Sequence, residues 1–182
     1  SFRWSPRLAD APDDLPGADT SGWGRMPVPA SWVMPSHDAL HPGAHGVPAY
    51  TNVRYPFPLD PPYAPEANPV GDYAIEFDAP LLERPVLRFE GIEGAATVWL
   101  NGVELGTTRG SRLPTTFAAT SLREGSNTLE VRVAQFSAAS YLEDQDEWWA
   151  PGIIREVTLR ERPEGGLDDV FARVSFADSV GT

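Results

Sequence analysis

Residues 72–79 read DYAIEFDA, so Tyr73, Ile75 and Phe77 fall on one face of an extended chain and Glu76 and Asp78 on the other. Successive side chains of a strand point to opposite faces, and apolar residues at every second position therefore specify a sheet with one buried side. The pattern recurs in PVLRFEG (Leu87, Phe89) and in NTLEVRVAQF, where Leu129, Val131 and Val133 alternate with Glu130 and Arg132. IIREVTLRER and DDVFARVSFAD supply two more strands, and no segment holds helical apolar spacing beyond two turns, TTFAATSLREG coming nearest. ATVWLNGVELGTT closes as a hairpin on Asn101-Gly102, because a two-residue type I′ turn needs positive φ at both central positions. REGSN at 123–127 is a turn. Short strands punctuated this closely predict an all-β fold, a jelly-roll β-sandwich.

The first seventy residues read differently. They hold most of the prolines, in MPVPASWVMP and YPFPLDPPYAPEANP, with Trp4, Trp23 and Trp32 among them. Proline cannot donate to a ladder or continue a helix, so this region is expected to run as an extended, polyproline-like arm held to the sandwich by its aromatics. Residues 1–22 are read as an N-terminal tail, with 10–22 the stretch expected to lack order. The domain then runs from 23 to 162, with 23–71 as its Pro/Trp-rich arm. After RPEGG, residues 163–182 read as a linker and the opening of a further domain or an edge strand. The chain opens at Ser1 and stops soon after a strand pattern begins, and it is expected to be an excised piece of a longer protein.

Fourteen basic residues, all Arg, oppose twenty-six acidic ones for a net charge of −12. Such a chain repels phosphate, which argues against nucleic acid and anionic membranes as partners. Cysteine is absent, excluding disulfides, thiolate metal sites and a Cys nucleophile. No apolar run reaches the eighteen or so residues of a membrane span. The start lacks the basic-then-apolar pattern of a signal peptide, so a cytoplasmic location is expected.

Two stretches mix aromatics with uncharged or acidic polar groups, YTNVRYP (50–56) and SYLEDQDEWW (140–149). A carboxyl pair working as acid and base or nucleophile must flank one bond from two sides. Glu143, Asp144, Asp146 and Glu147 offer the groups, but neighbours in one loop point in different directions and no second cluster exists elsewhere, so no catalytic residue is assigned to this chain. Trp148, Trp149, Tyr141 and Tyr55 could stack on a sugar, although bracing the loop or packing on another domain is the commoner use of such rings. His37, His41 and His45 lie in a Pro/Gly-rich stretch that gives no assurance of convergent metal ligands. Ser111 and Arg112, in GSRLP, have no base nearby in sequence that would make the serine a nucleophile.

The succession YTNVRYPFP, DPPYAPEANPVGDY, LRFEGIEGAATVWLNGVELG, GSRLPTTF, LREGSNTLEVRVAQFS and SYLEDQDEWWAPGIIREVTL resembles the N-terminal sugar-binding domain of the large bacterial β-galactosidases, family-two glycoside hydrolases, over residues 23–162. The hairpin and the strand after it are shared with galactose-binding-like sandwiches of β-glucuronidases and β-mannosidases; YTNVRYP and SYLEDQDEWW are the narrower motifs. The chain departs from the family's pattern in the stretch PSHDALHPGAHGVPA and in Glu147. The resemblance implies a domain that completes the active site of a TIM-barrel domain, in a retaining enzyme acting on terminal β-D-galactosides. Asn52 would then bind substrate, and Asp146 would touch galactosyl hydroxyls and ligate sodium as part of a shared site. Val53 and Trp148 are further candidate sugar contacts. It implies Mg2+ and Na+ as cofactors of the full-length enzyme and none for the isolated domain, downstream immunoglobulin-like and TIM-barrel domains as partners in the same polypeptide, and a homo-oligomer. An amide can both donate to and accept from a hydroxyl, and a carboxylate accepts from hydroxyls and offers a hard oxygen to a cation, so the residue types suit these roles. A stand-alone, noncatalytic carbohydrate-binding module and the same domain of a β-glucuronidase or β-mannosidase are the alternatives.

Overall fold

The computed structural model describes residues 2–8, 15–34, 47–50, 54–143, 146–167, 169–177 and 180–181. Its strands are β1 (Phe2–Leu8), β2 (Gly24–Met26), β3 (Ala49–Tyr50), β4 (Pro69–Ala79), β5 (Pro85–Phe89), β6 (Ile92–Glu93), β7 (Ala95–Leu100) and β8 (Val103–Thr108). Then follow β9 (Thr115–Ala118), β10 (Gly125–Ala134), β11 (Trp148–Trp149), β12 (Gly152–Ile153), β13 (Val157–Glu161), β14 (Phe176–Ala177) and β15 (Val180–Gly181). The only helical element among the described residues is a 3-10 turn, Ala138–Tyr141. The chain is all-β, as its alternation predicts.

Strands β4 and β10 form the centre of a six-stranded sheet ordered β2-β1-β4-β10-β7-β8, and β13-β5-β9 form a second sheet. The period-two residues meet between them. Tyr73, Val98, Leu100, Leu129, Val131 and Val133 of the larger sheet share one buried core with Leu87, Phe89 and Phe117 of the smaller. Phe89 and Phe117 cross edge to face with centroids 5.9 Å apart. The Tyr73 hydroxyl is buried beside the Ile153 backbone without a hydrogen bond of good geometry, and burial pushes its pKa above the ordinary tyrosine range.

The β7–β8 hairpin turns on Asn101 and Gly102, whose φ values of 52° and 78° are both positive, as a type I′ turn requires. Asn101 also locks the next turn. Its Nδ2 donates to Asn127 Oδ1 at 2.8 Å and its Oδ1 accepts from Thr128 N at 2.9 Å. On the outer face of the large sheet Asp72 and Arg132 stand directly opposite in register. Arg132 Nε and Nη2 donate to the two Asp72 oxygens at 2.8 and 3.0 Å, and this fork satisfies a carboxylate that water does not reach.

Two segments differ from the sequence reading. Phe2–Leu8, placed there in a tail, is a full strand of the large sheet, running from Arg3 opposite Ala74 to Leu8 opposite Pro69. Pro6 disguises it, and the strand exists because β4, paired with β10 along one side, leaves backbone donors and acceptors along the other. The second segment is DDVFARVSFAD, expected to be a strand throughout. Among its described residues only Phe176–Ala177 pairs, with β15; Val170, Phe171 and Val174 are exposed. Alternation makes a strand where a sheet edge receives it, and among the described residues none receives 169–175.

The proline-rich arm is ordered where it is described. Met26, Trp32 and Val33 are buried in the core. Ala30 N donates to Ile153 O at 2.9 Å and Ser31 Oγ to Pro151 O at 2.8 Å, so the arm is stitched along residues 151–153. Gly152 makes the close approach there, at φ 142°. A Cβ on it would lie 2.6 Å from Ala30 O.

Candidate functional site

The two polar-aromatic stretches meet. Strand β3 pairs antiparallel with β11, setting Tyr50 opposite Trp148 and Ala49 opposite Trp149. The Tyr50 hydroxyl donates to the Asp146 carboxylate. Tyr50 and Trp148 lie ring against ring, with centroids 5.2 Å apart and planes 39° from parallel. Trp148 is 64% exposed and Trp149, the next residue, 4%. The strand's alternation thus divides the pair, one ring to the surface and one to the interior.

Beneath this ribbon lies an aromatic floor. Trp149 contacts Tyr55 and Phe136, with centroids 6.1 and 5.8 Å away, and Tyr55 stacks on Tyr141 at 5.8 Å. Tyr141 Oη donates to Tyr63 O at 2.8 Å, which ties the proline-rich chain to the 3-10 turn. That turn carries its own cap: Ser137 Oγ accepts from Ala139 N at 3.1 Å and Ser140 Oγ from Ser137 N at 3.0 Å. The acidic loop therefore leaves a braced platform, and Trp149, Tyr55 and Tyr141 are its bracing.

Of the residues expected at the site, Asp146 and Trp148 lie together at the surface beside Tyr50. Asn52 and Val53 lie outside the described residues, as do Asp144, Gln145 and the three histidines. Asp146 presents a hard oxygen donor, suited to hydroxyls and to an alkali cation. Among the described residues no three His, Asp or Glu side chains converge to hold a metal ion. A single carboxylate could serve a cation only as one ligand among several.

A family model for the sugar-binding domain of the glycosyl hydrolases of family 2 matches residues 1–163. The chain belongs to that family. The matched span includes β1. A β-galactosidase of Arthrobacter sp. strain B7 is 50% identical over 168 residues, covering 88% of this chain and 16% of that protein. The β-galactosidases of Vibrio cholerae and Kluyveromyces lactis are 41% and 38% identical, covering 96% and 97% of this chain and 17% and 18% of theirs. The chain thus spans about one sixth of the relatives it matches. Among solved structures, a Bifidobacterium dentium β-glucuronidase complexed with coumarin-3-O-glucuronide superposes with a TM-score of 0.57 at 20% identity, over 87% of this chain and 29% of its own. That likeness shows the fold alone.

In this sugar-binding domain the acidic loop is gripped from a direction that the sequence reading did not anticipate. Ser111 N donates to Glu143 Oε1 at 3.0 Å. Arg112 forks onto Glu93, its Nη2 lying 2.7 Å from Oε1, and its Nη1 donates to Glu147. Burial holds the Glu93 carboxyl above the usual range, against the pull of Arg112 and with Glu147 and Glu143 adding to the rise. The sequence reading matches GSRLP to the family and weighs Ser111 as a nucleophile, but gives Arg112 no structural role. The signal available was an Arg in an otherwise uncharged stretch, with an acidic loop elsewhere to receive it.

Proposed function

We propose that this chain is the sugar-binding domain of a retaining β-galactosidase, and that Asn52 and Asp146 belong to a composite site completed by a TIM-barrel domain of the same polypeptide. The observation that carries the reading is the β3–β11 pairing with its Tyr50–Asp146 hydrogen bond, which joins the two motifs by which the chain resembles β-galactosidases. Relatives named β-galactosidase, matched over nearly the whole chain, support the same substrate class.

The acid and the nucleophile of a retaining reaction would come from the barrel. The described carboxylates of the acidic loop are engaged elsewhere: Glu143 with a backbone N–H, Glu147 with Arg112, and Asp146 with Tyr50. They are not arranged as an acid and a nucleophile facing one bond. Asp146 would instead accept from galactosyl hydroxyls and hold sodium, which when bound supplies a fixed positive charge that orients those hydroxyls. Asn52 would donate to and accept from the same sugar, and Trp148 and Val53 would close its rim. Magnesium is a cofactor of the whole enzyme in this reading, which also makes that enzyme a cytoplasmic homo-oligomer; no helix among the described residues is long and apolar enough to cross a membrane.

The test is Asp146→Ala in the enzyme that carries this domain. It is expected to lower kcat/KM for a β-galactoside about a hundredfold, the scale on which misplacing a bound substrate costs rate, and to blunt the response to sodium. Unchanged kinetics and ion response refute the role. Titrating the isolated domain with galactose separates the stand-alone module: measurable affinity favours the module, and none favours half of a shared site.

A further inference from the structure

Arg112 has φ 67°, a conformation that non-glycine residues keep only where the surroundings hold them. Its N–H donates to Ile92 O at 2.8 Å and its carbonyl accepts from Arg155 Nη1 at 3.0 Å. Through Nε and Nη2 the guanidinium forks onto Glu93, a buried residue of β6, and β6 is itself paired with β12. The remaining arm, Nη1, reaches Glu147, the residue between Asp146 and Trp148. Ser111 grips the other flank, its N–H on Glu143 and its Oγ accepting from Gly94 N at 3.1 Å. Two consecutive residues therefore fasten both ends of the acidic loop to residues 92–94.

We propose that Arg112 is a positioning residue that sets Asp146 and Trp148 in the sugar site; this rests on the reading of that site given above. The Arg112 and Glu147 side chains are 25% and 35% exposed, and an ion pair so placed adds little to stability. Its geometry does more. A planar guanidinium forked on a buried carboxylate has one orientation, so its third donor holds Glu147 at one place, and the residues on either side of Glu147 inherit that placement. Lysine, a single point charge, can keep the attraction and lose the direction.

The test compares Arg112→Met, Arg112→Lys and Glu147→Gln with the unaltered enzyme carrying this domain, reading kcat and KM separately and following hydrogen–deuterium exchange of residues 140–149. Arg112→Met is expected to raise KM for a β-galactoside about tenfold or more and to speed exchange in 140–149 while β4 and β10 stay protected. Arg112→Lys should recover part of both effects, and Glu147→Gln should show a weaker form of them. Faster exchange throughout the domain overturns the proposal in favour of a merely structural role. An Asp146→Ala control separates the two readings: a damaged Asp146→Ala enzyme beside an unaffected Arg112→Met enzyme overturns the positioning role alone. Asp146→Ala with unaltered kinetics overturns the site reading and the proposal with it.

Discussion

The Tyr50 hydroxyl donates to the Asp146 carboxylate across 96 positions of sequence, while its ring lies against Trp148. Tyr50→Phe removes the donor and keeps the ring. A hydrogen bond to a charged group contributes about 1.5–3 kcal/mol, so on the function proposed above the enzyme carrying this domain should lose roughly ten- to a hundredfold in kcat/KM for a β-galactoside. Steady-state kinetics decide it; unchanged constants would show that Asp146 keeps its place without Tyr50.

Asp72 is wholly buried and faces Arg132 across β4 and β10. Arg132→Met removes the guanidinium fork from that buried charge and should cost about 3–5 kcal/mol in urea denaturation. Replacing both residues, as Asp72→Leu with Arg132→Met, should cost less than Arg132→Met alone, because the buried charge goes too. A double variant at least as unstable as the single one contradicts this.

Gly152 should resist substitution. Any Cβ there would lie 2.6 Å from Ala30 O and 3.1 Å from Ser31 Cα, both backbone atoms, and φ 142° disfavours an L side chain as well. Gly152→Ala is expected to detach the arm at residues 30–31 and to cost about 2 kcal/mol or more in thermal unfolding, with Trp32 becoming accessible to a fluorescence quencher. A stable variant with Trp32 still shielded would show that the arm adapts.

Glu93 provides a pH dependence of known sign. Burial raises its carboxyl above the ordinary range, against Arg112 and with help from Glu147 and Glu143. The folded chain therefore takes up a proton at Glu93 at a higher pH than the unfolded chain does. The stability from that uptake is fully present below the unfolded pKa and is lost as pH rises through the folded one. Glu93→Gln cannot take up that proton. Its Tm relative to the unaltered chain should fall as pH is lowered from 7 into the usual carboxylate range, by differential scanning fluorimetry; a constant difference contradicts the shift.

The alternation at Tyr73, Ile75, Phe77, Leu129, Val131 and Val133 names the core before any coordinates, because a strand sorts its side chains by parity alone. Asn101-Gly102 names its hairpin for an equally local reason, the need for positive φ at both positions. What stayed hidden depends on partners. Phe2–Leu8 is a strand since β4 has an edge to offer, and Val170–Val174 is none since among the described residues no edge receives it. Whether a parity pattern becomes a strand is decided by the neighbour that takes its hydrogen bonds.

The same division runs through the site. Local sequence marks Asp146 and Trp148 as polar and aromatic groups in one unusual stretch, and the residue types bound what they could bind. That Tyr50 touches both, that Trp148 faces outward while Trp149 is sealed, and that Arg112 grips Glu147 are long-range facts. They arise where β3 meets β11 and where the 110–112 loop meets β6, contacts between segments far apart in the chain, and only the folded sandwich brings those segments within reach of one another.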